Sequence, residues 1–144
     1  MKLQQWFDAY GVSHKNDTNI IIHKFCVPAI LWSVIVLLSS IPVPSFFLLI
    51  PYLNWATIIA GFALVFYLTL GVKPFLVMLV QLGIAFFTLQ FLPPEQMSTI
   101  GFSVFLIAWI FQFVGHKIEG KKPSFIEDIK FLLIGPLWII KGLF

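Results

Sequence analysis

The fold is decided by one uncharged stretch, residues 25–72, which reads FCVPAILWSVIVLLSSIPVPSFFLLIPYLNWATIIAGFALVFYLTLGV. Its 48 residues include no lysine, arginine, aspartate or glutamate. An apolar helix needs roughly 20 residues to cross the hydrocarbon layer of a bilayer. The stretch is therefore too long for one span, and the proline-containing segment Ile41–Ser45 is a natural break between two spans.

Two further uncharged runs, Pro74–Pro94 and Gln96–His116, contain 21 residues each. In lipid, a spanning segment must satisfy its own backbone hydrogen bonds, and a helix does so. We therefore predict an all-α fold, an integral membrane helical bundle that forms a single domain. The predicted spans, about four in number, lie at about 25–41, 52–71, 74–92 and 98–116, and the apolar segment 44–51 is an interfacial loop or a short re-entrant piece.

The composition excludes several classes of protein. The chain has 144 residues, is 60% hydrophobic with a mean hydropathy of +0.99, and has only 10% charged residues. A soluble domain carries about 25% charged residues, so a soluble enzyme, a nucleic-acid-binding domain and a disordered chain are excluded. The single cysteine, Cys26, leaves no partner for a disulfide framework.

The lysines predict the orientation. All nine basic residues are lysines, and with four spans all nine lie on the side that holds both termini and the short turn at 72–73. The opposite side has one charged residue, Glu95. Because short cytoplasmic segments collect lysine and arginine, we predict a multi-pass protein with both termini in the cytoplasm. The membrane would be the bacterial inner membrane or, in a eukaryote, that of the endoplasmic reticulum.

Short helices are predicted at both ends of the bundle. The apolar residues of Leu3–Tyr10 recur at helical spacing, and Gly11 follows them. At the other end Ser124–Glu127 has the form of a capping box and predicts a helix over about 124–143. Its uncharged part is too short to span, so this helix would lie in the interface or dip into the bundle.

Three histidines, His14, His23 and His116, are the strongest candidates for chemistry. The predicted topology places all three at the cytoplasmic membrane surface. Asn19 precedes His23 by four residues and Glu119 follows His116 by three, so each pair shares a helix face if the helices extend that far. Imidazoles that leave a coordination position open suit iron, zinc or copper, and the pattern is consistent with a metal site.

Two other interpretations remain open from the residues alone. Histidine is amphipathic, so the three side chains could merely cap helices at the interface of a small membrane transporter or scaffold. A zinc-dependent lipid hydrolase would use the same residue types. Analysis of the bound metal separates these hypotheses.

Two motifs resemble the 2-hydroxy fatty acid dioxygenase family, which acts in alpha-oxidation. The first is HKNDTNIIIH at 14–23, followed by Val27-Pro28, and the second is WIFQFVGHKIEGKKP at 109–123. The resemblance covers essentially the whole chain. The sequence departs from the family pattern at Ser124, where alanine is usual, and at Lys141-Gly142, near which the pattern has an acidic residue.

The resemblance implies an iron(II)-dependent dioxygenase that shortens long-chain 2-hydroxy fatty acids by one carbon with O2. The implied iron ligands are His14, His23 and His116. Glu119 would be either a fourth ligand or an acceptor that holds an imidazole N–H. The remaining implied site residues would orient the histidines or bind the acid, whose tail would lie between the first and fourth spans. They are Asn16, Asn19, Gln112, Lys117, Lys121 and Lys122.

Overall fold

The computed structural model describes residues 1–144 and contains helices but no strands, as the sequence predicts. The α-helices are α1 Leu3–Gly11, α2 Asp17–Ser40, α3 Trp55–Leu70, α4 Val72–Thr88, α5 Met97–Glu119 and α6 Phe131–Trp138. Short 3-10 turns lie at Ser45–Leu49, Leu89–Phe91, Pro94–Gln96, Ser124–Ile126 and Lys141–Leu143.

Three helical segments are long and apolar enough to cross a membrane: Asp17–Ser40, Val72–Phe91 and Pro94–Glu119. The fourth apolar helix, α3, has 16 residues. At 1.5 Å per residue it is about 24 Å long, whereas the hydrocarbon layer is about 30 Å thick. Three of the predicted spans thus have the full length, and the fourth corresponds to a shorter apolar helix.

Local capping explains why α3 is shorter than predicted. The Asn54 side-chain oxygen accepts from the Thr57 N–H at 2.9 Å, and the Asn54 N–H donates to Thr57 Oγ1 at 2.9 Å. This reciprocal capping box starts the helix at Trp55. Gly71 ends it with φ of 133°, a backbone conformation that favours glycine, and α4 begins at the next residue.

The chain divides into two compact units. Residues Met1–Ile30 and Leu106–Phe144 form the first, which we call the terminal unit, and Leu31–Phe105 form the second, the central unit. The terminal unit therefore contains α1, α6, the start of α2 and the end of α5.

The core of the central unit is built from small and aliphatic side chains. Ala56 and Ala60 near the start of α3 pack with Leu82 and Ala85 near the end of α4, and Ile35 of α2 joins them. This pairing makes α3 and α4 antiparallel. Alanines at a helix interface let the two backbones approach closely, as small residues do between membrane helices.

In the terminal unit, α1 packs on α6 through aromatic rings. Trp6 meets Phe131 edge-on with ring centroids 5.5 Å apart, and Tyr10 lies 5.3 Å from Trp138. A Cβ on Gly135 would lie only 3.1 Å from the Tyr10 hydroxyl, so glycine permits this approach. Six of the eight residues of α6 are buried.

The C-terminal helix is much shorter than the predicted 124–143, because α6 covers only Phe131–Trp138. Ser124 does not cap a helix with its side chain; its hydroxyl instead hydrogen-bonds to the hydroxyl of Ser13. The chain continues as a 3-10 turn, and Asp128 accepts from the Lys130 N–H at 2.9 Å just before α6. A local capping signature was thus overridden by a tertiary contact.

Candidate metal centre

Three separate parts of the terminal unit bring the histidines together. His14 lies in the loop between α1 and α2, His23 in the second turn of α2, and His116 in the last turn of α5. One ring nitrogen from each lies within 4.8 Å of the others, and all three side chains are buried. We call these residues the histidine cluster.

Two of these rings use the same nitrogen, Nδ1, for a hydrogen bond to a backbone carbonyl. His14 Nδ1 lies 2.7 Å from the Tyr10 carbonyl oxygen, and His23 Nδ1 lies 2.9 Å from that of Asn19. Because a carbonyl only accepts, each Nδ1 carries the hydrogen and donates it, so Nε2 holds a lone pair. Metal-binding histidines typically donate their second N–H in this way.

The Nε2 atoms of His23 and His116 lie 3.1 Å apart. Two imidazole nitrogens on one ion, with bonds of about 2.1 Å at 90–109°, are separated by about 3.0–3.4 Å. His14 Nε2 is buried and has no hydrogen-bond partner, which is rare for a polar atom in a folded protein. The donor set is therefore of the kind that binds a metal ion. The widest nitrogen separation, up to 4.8 Å, exceeds the roughly 4.2 Å that two bonds of about 2.1 Å can span, so the three rings must draw closer to share one ion.

Aromatic rings enclose one side of the histidine cluster. Tyr10 stacks on His14 with centroids 4.1 Å apart and planes at 4°, and the Trp138 ring lies 5.1 Å from the same imidazole. Burial lowers the pKa of His14 below its usual value, which keeps the ring neutral and able to bind metal. Burial also raises the pKa of the Tyr10 phenol, so this hydroxyl stays protonated.

Glu119 lies beside the histidine cluster and is occupied by nitrogen donors. Its carboxylate accepts from the backbone N–H groups of Lys15 at 3.0 Å and Asn16 at 2.9 Å, and from Asn19 Nδ2 at 3.0 Å. It thereby ties the end of α5 to the loop that carries His14. These contacts favour the positioning alternative for Glu119 over direct ligation.

Asn19 links Glu119 to the histidines. Its side chain is fully buried, and Nδ2 donates both to Glu119 and to the Ser13 carbonyl oxygen at 3.2 Å. Its backbone carbonyl accepts from His23, as described above. A continuous set of hydrogen bonds thus runs from Glu119 through Asn19 to an imidazole of the cluster.

The other predicted site residues fall into three environments. Asn16 is exposed and caps α2, because its side-chain oxygen accepts from the Thr18 and Asn19 N–H groups. Gln112 is buried one turn before His116, and its Oε1 has no hydrogen-bond partner. The predicted lysines are exposed; they are Lys117, Lys121 and Lys122. Lys121 and Lys122 line a cleft of about 250 Å³ whose wall includes none of the three histidines.

The sequence alone assigned no role in the site to Gly115 or to the aromatic rings of Tyr10 and Trp138 beside His14. A Cβ on Gly115 would collide with Asn19 Oδ1, so the packing of α5 against the start of α2 requires glycine here. Tyr10 and Trp138 were expected only as members of the two predicted terminal helices. Their sequence spacing carries no sign that both contact His14, since they lie at opposite ends of the chain.

The fold and the site define a helical membrane protein with a buried three-histidine centre. The whole chain, residues 1–144, matches the family described as 2-hydroxy-palmitic acid dioxygenase Mpo1-like, and the protein belongs to this family. It is 27% identical over 143 residues to the 2-hydroxy-palmitic acid dioxygenase MPO1 of Saccharomyces cerevisiae. The matched region covers 97% of this chain and 78% of the yeast protein. No solved structure matches the chain.

Proposed function

We propose that this protein is an iron(II)-dependent dioxygenase that shortens long-chain 2-hydroxy fatty acids by one carbon. The observation that carries the proposal is the buried histidine cluster, whose ring nitrogens lie within 4.8 Å of one another. Membership of the family and the name of the yeast relative support the class of substrate.

In this proposal His14, His23 and His116 hold the iron. The backbone carbonyls of Tyr10 and Asn19 keep a hydrogen on Nδ1 of two of these rings, which directs Nε2 to the metal. Glu119 acts through Asn19 and the His14 loop as a positioning residue. The buried amide of Gln112 is available to bind the substrate, because its oxygen lacks a partner.

The overall chemistry balances without a second reductant. A 2-hydroxy acid and O2 together contain the atoms of the acid one carbon shorter, carbon dioxide and water. The bond between the carboxyl carbon and the hydroxyl-bearing carbon breaks, and the substrate supplies all the electrons that O2 takes up. Iron(II), when bound, would supply the redox chemistry with O2 and open positions for the substrate.

The proposed location follows from the apolar helices and the lysines. A multi-pass arrangement with both termini in the cytoplasm would put the histidine cluster near the cytoplasmic face of the membrane. There the charged head of a fatty acid can remain near water while its tail enters hydrocarbon. Each buried CH2 contributes about 0.8 kcal/mol, so this arrangement favours long acids.

The decisive experiment is anaerobic purification of the full chain with iron(II), followed by addition of 2-hydroxypalmitate and air. We expect the acid one carbon shorter, identified by mass, in an amount that depends on bound iron. A chelator-treated sample is the control. Equal product with and without metal, or no product from iron-loaded protein, would contradict the proposal.

Metal analysis of the same preparation discriminates between the alternatives. Bound iron supports the dioxygenase, whereas bound zinc with hydrolysis of a lipid ester would identify a hydrolase. Protein that binds neither metal would leave a transporter or scaffold with structural histidines.

A further inference from the structure

A cleft of about 460 Å³ opens beside the histidine cluster. Its size lies within the usual range for pockets that bind small molecules. His14 forms part of its wall and is shared between the cleft and the cluster. The rest of the wall comes from α1, from Val12 and Lys15 in the loop that follows it, and from the last residues of the chain, so the terminal unit provides the whole cleft.

Two cationic side chains, Lys15 and Lys141, line this cleft, against one acidic side chain, Asp8. Asp8 already accepts a hydrogen bond from Gln4 Nε2 at 2.9 Å. The ammonium group of Lys141 lies 4.4 Å from the centroid of the Trp138 ring, which holds the cation near the wall. The cleft therefore offers a positive charge close to His14.

Apolar surface lies next to these charges. Phe7 and Phe144 meet edge-on with centroids 5.9 Å apart, and both line the cleft together with Trp138. A site that combines exposed cations with aromatic rings suits a carboxylate that carries an apolar chain. Inorganic phosphate would use the charge but not the rings.

We propose that Lys141 and Lys15 bind the carboxylate of the fatty acid substrate in this cleft, with its first methylene groups against Phe7 and Phe144. The identity of the acid rests on the proposed function, whereas the binding of a carboxylate does not. Lys117, Lys121 and Lys122 lie outside this cleft and contribute only to the surrounding charge.

The binding test uses palmitic acid, which lacks the 2-hydroxyl group, and palmitamide, its uncharged counterpart. Equilibrium binding of each to the full chain in detergent is measured for the wild type, Lys141→Gln and Lys15→Gln. We expect each substitution to raise the Kd for palmitate about three- to tenfold, and Lys141→Arg to retain wild-type affinity. Palmitamide should bind the wild type and both glutamine variants alike.

Lys130→Gln is the matched control, because Lys130 also lies over a tryptophan, 5.9 Å from the Trp6 ring, but is outside the cleft. It should leave the Kd for palmitate unchanged. The proposal is wrong if wild-type protein fails to bind palmitate or if both glutamine variants bind it normally. It is also wrong if the glutamine substitutions weaken the binding of palmitamide as much as that of palmitate. Equal weakening would mean that the lysine acts through packing on Trp138.

Turnover of 2-hydroxypalmitate separates this proposal from the proposed function. If palmitate binding depends on the lysines but no shortened acid forms from 2-hydroxypalmitate, the dioxygenase proposal is wrong and the carboxylate site stands. Normal turnover by the wild type, with no change of KM in Lys141→Gln or Lys15→Gln, would overturn the carboxylate site and leave the dioxygenase.

Discussion

The two units of the molecule bury different kinds of side chain. The central unit packs mainly alanine and aliphatic residues, and of the buried serine, asparagine, glutamine and histidine side chains it contains only Ser33. The terminal unit buries the other seven, which are Ser13, His14, Asn19, His23, Gln112, His116 and Ser124. A buried polar atom without a partner costs about 1–3 kcal/mol. Both units contain such atoms, on Ser39 and Gln81 in the central unit, and in the terminal unit on four candidate site residues: His14, Asn19, Gln112 and His116. Such local conflicts are expected at functional sites.

The largest expected effect is the loss of the metal when one histidine of the cluster is removed. Alanine at His14, His23 or His116 should abolish turnover and lower bound iron severalfold, because only three imidazoles hold the ion in our proposal. Bound metal per protein and yield of shortened acid measure this. Ser33→Ala removes a buried polar group from the central unit and should change neither. Full activity in any single histidine variant would make that histidine structural.

Two glycine substitutions sharpen the comparison of the two units, because Gly83 of α4 lies in the central unit and Gly115 of α5 lies in the terminal unit. Gly115→Ala should lower both bound iron and thermal stability, since its Cβ would collide with Asn19 Oδ1. Gly83→Ala in the central unit meets nothing within 4 Å and should stabilise by about 0.4–1 kcal/mol. Melting temperature and metal content of the two variants are compared. A harmless Gly115→Ala would show that the Asn19 side chain moves freely and that its hydrogen bond to Glu119 does not hold the site together.

A smaller effect is expected from Glu119→Gln. The amide keeps one accepting oxygen but places an NH2 group against nitrogen donors, which weakens the connection to Asn19 and to the His14 loop. Substitution of such supporting groups typically costs about 10–100-fold in metal affinity or activity. Iron affinity is measured by competition with a chelator, and Glu95→Gln, at an exposed position, is the control. A complete loss equal to that of the histidine variants would identify Glu119 as a direct ligand.

The uncharged runs and the helical periodicity of the sequence predicted the helices, but not where the helices end or which aromatic rings enclose the histidine cluster. The sequence predicted an all-helical chain, the helical spacing around Trp6 and Tyr10, and a common location for the three histidines. It did not predict that α2 begins as early as Asp17, because the span rule detects only the uncharged part of a helix. Nor could it pair Tyr10 with Trp138, since contacts between distant segments depend on packing that leaves no periodic signal.

The smallest expected effect concerns the exposed lysines that the sequence suggested as substrate-binding residues. Lys117, Lys121 and Lys122 lie outside the cleft beside His14, so they can attract an anion only through longer-range charge. Replacing all three with glutamine should raise KM for 2-hydroxypalmitate by less than Lys141→Gln alone and leave kcat unchanged. High salt should abolish the rise in KM caused by the triple substitution, because the Debye length falls from about 8 Å at 0.15 M to about 3 Å at 1 M. Steady-state kinetics at both salt concentrations, with substrate and detergent held constant, make the comparison. A salt-independent rise in KM larger than that of Lys141→Gln would move the carboxylate contact from the His14 cleft to the three exposed lysines.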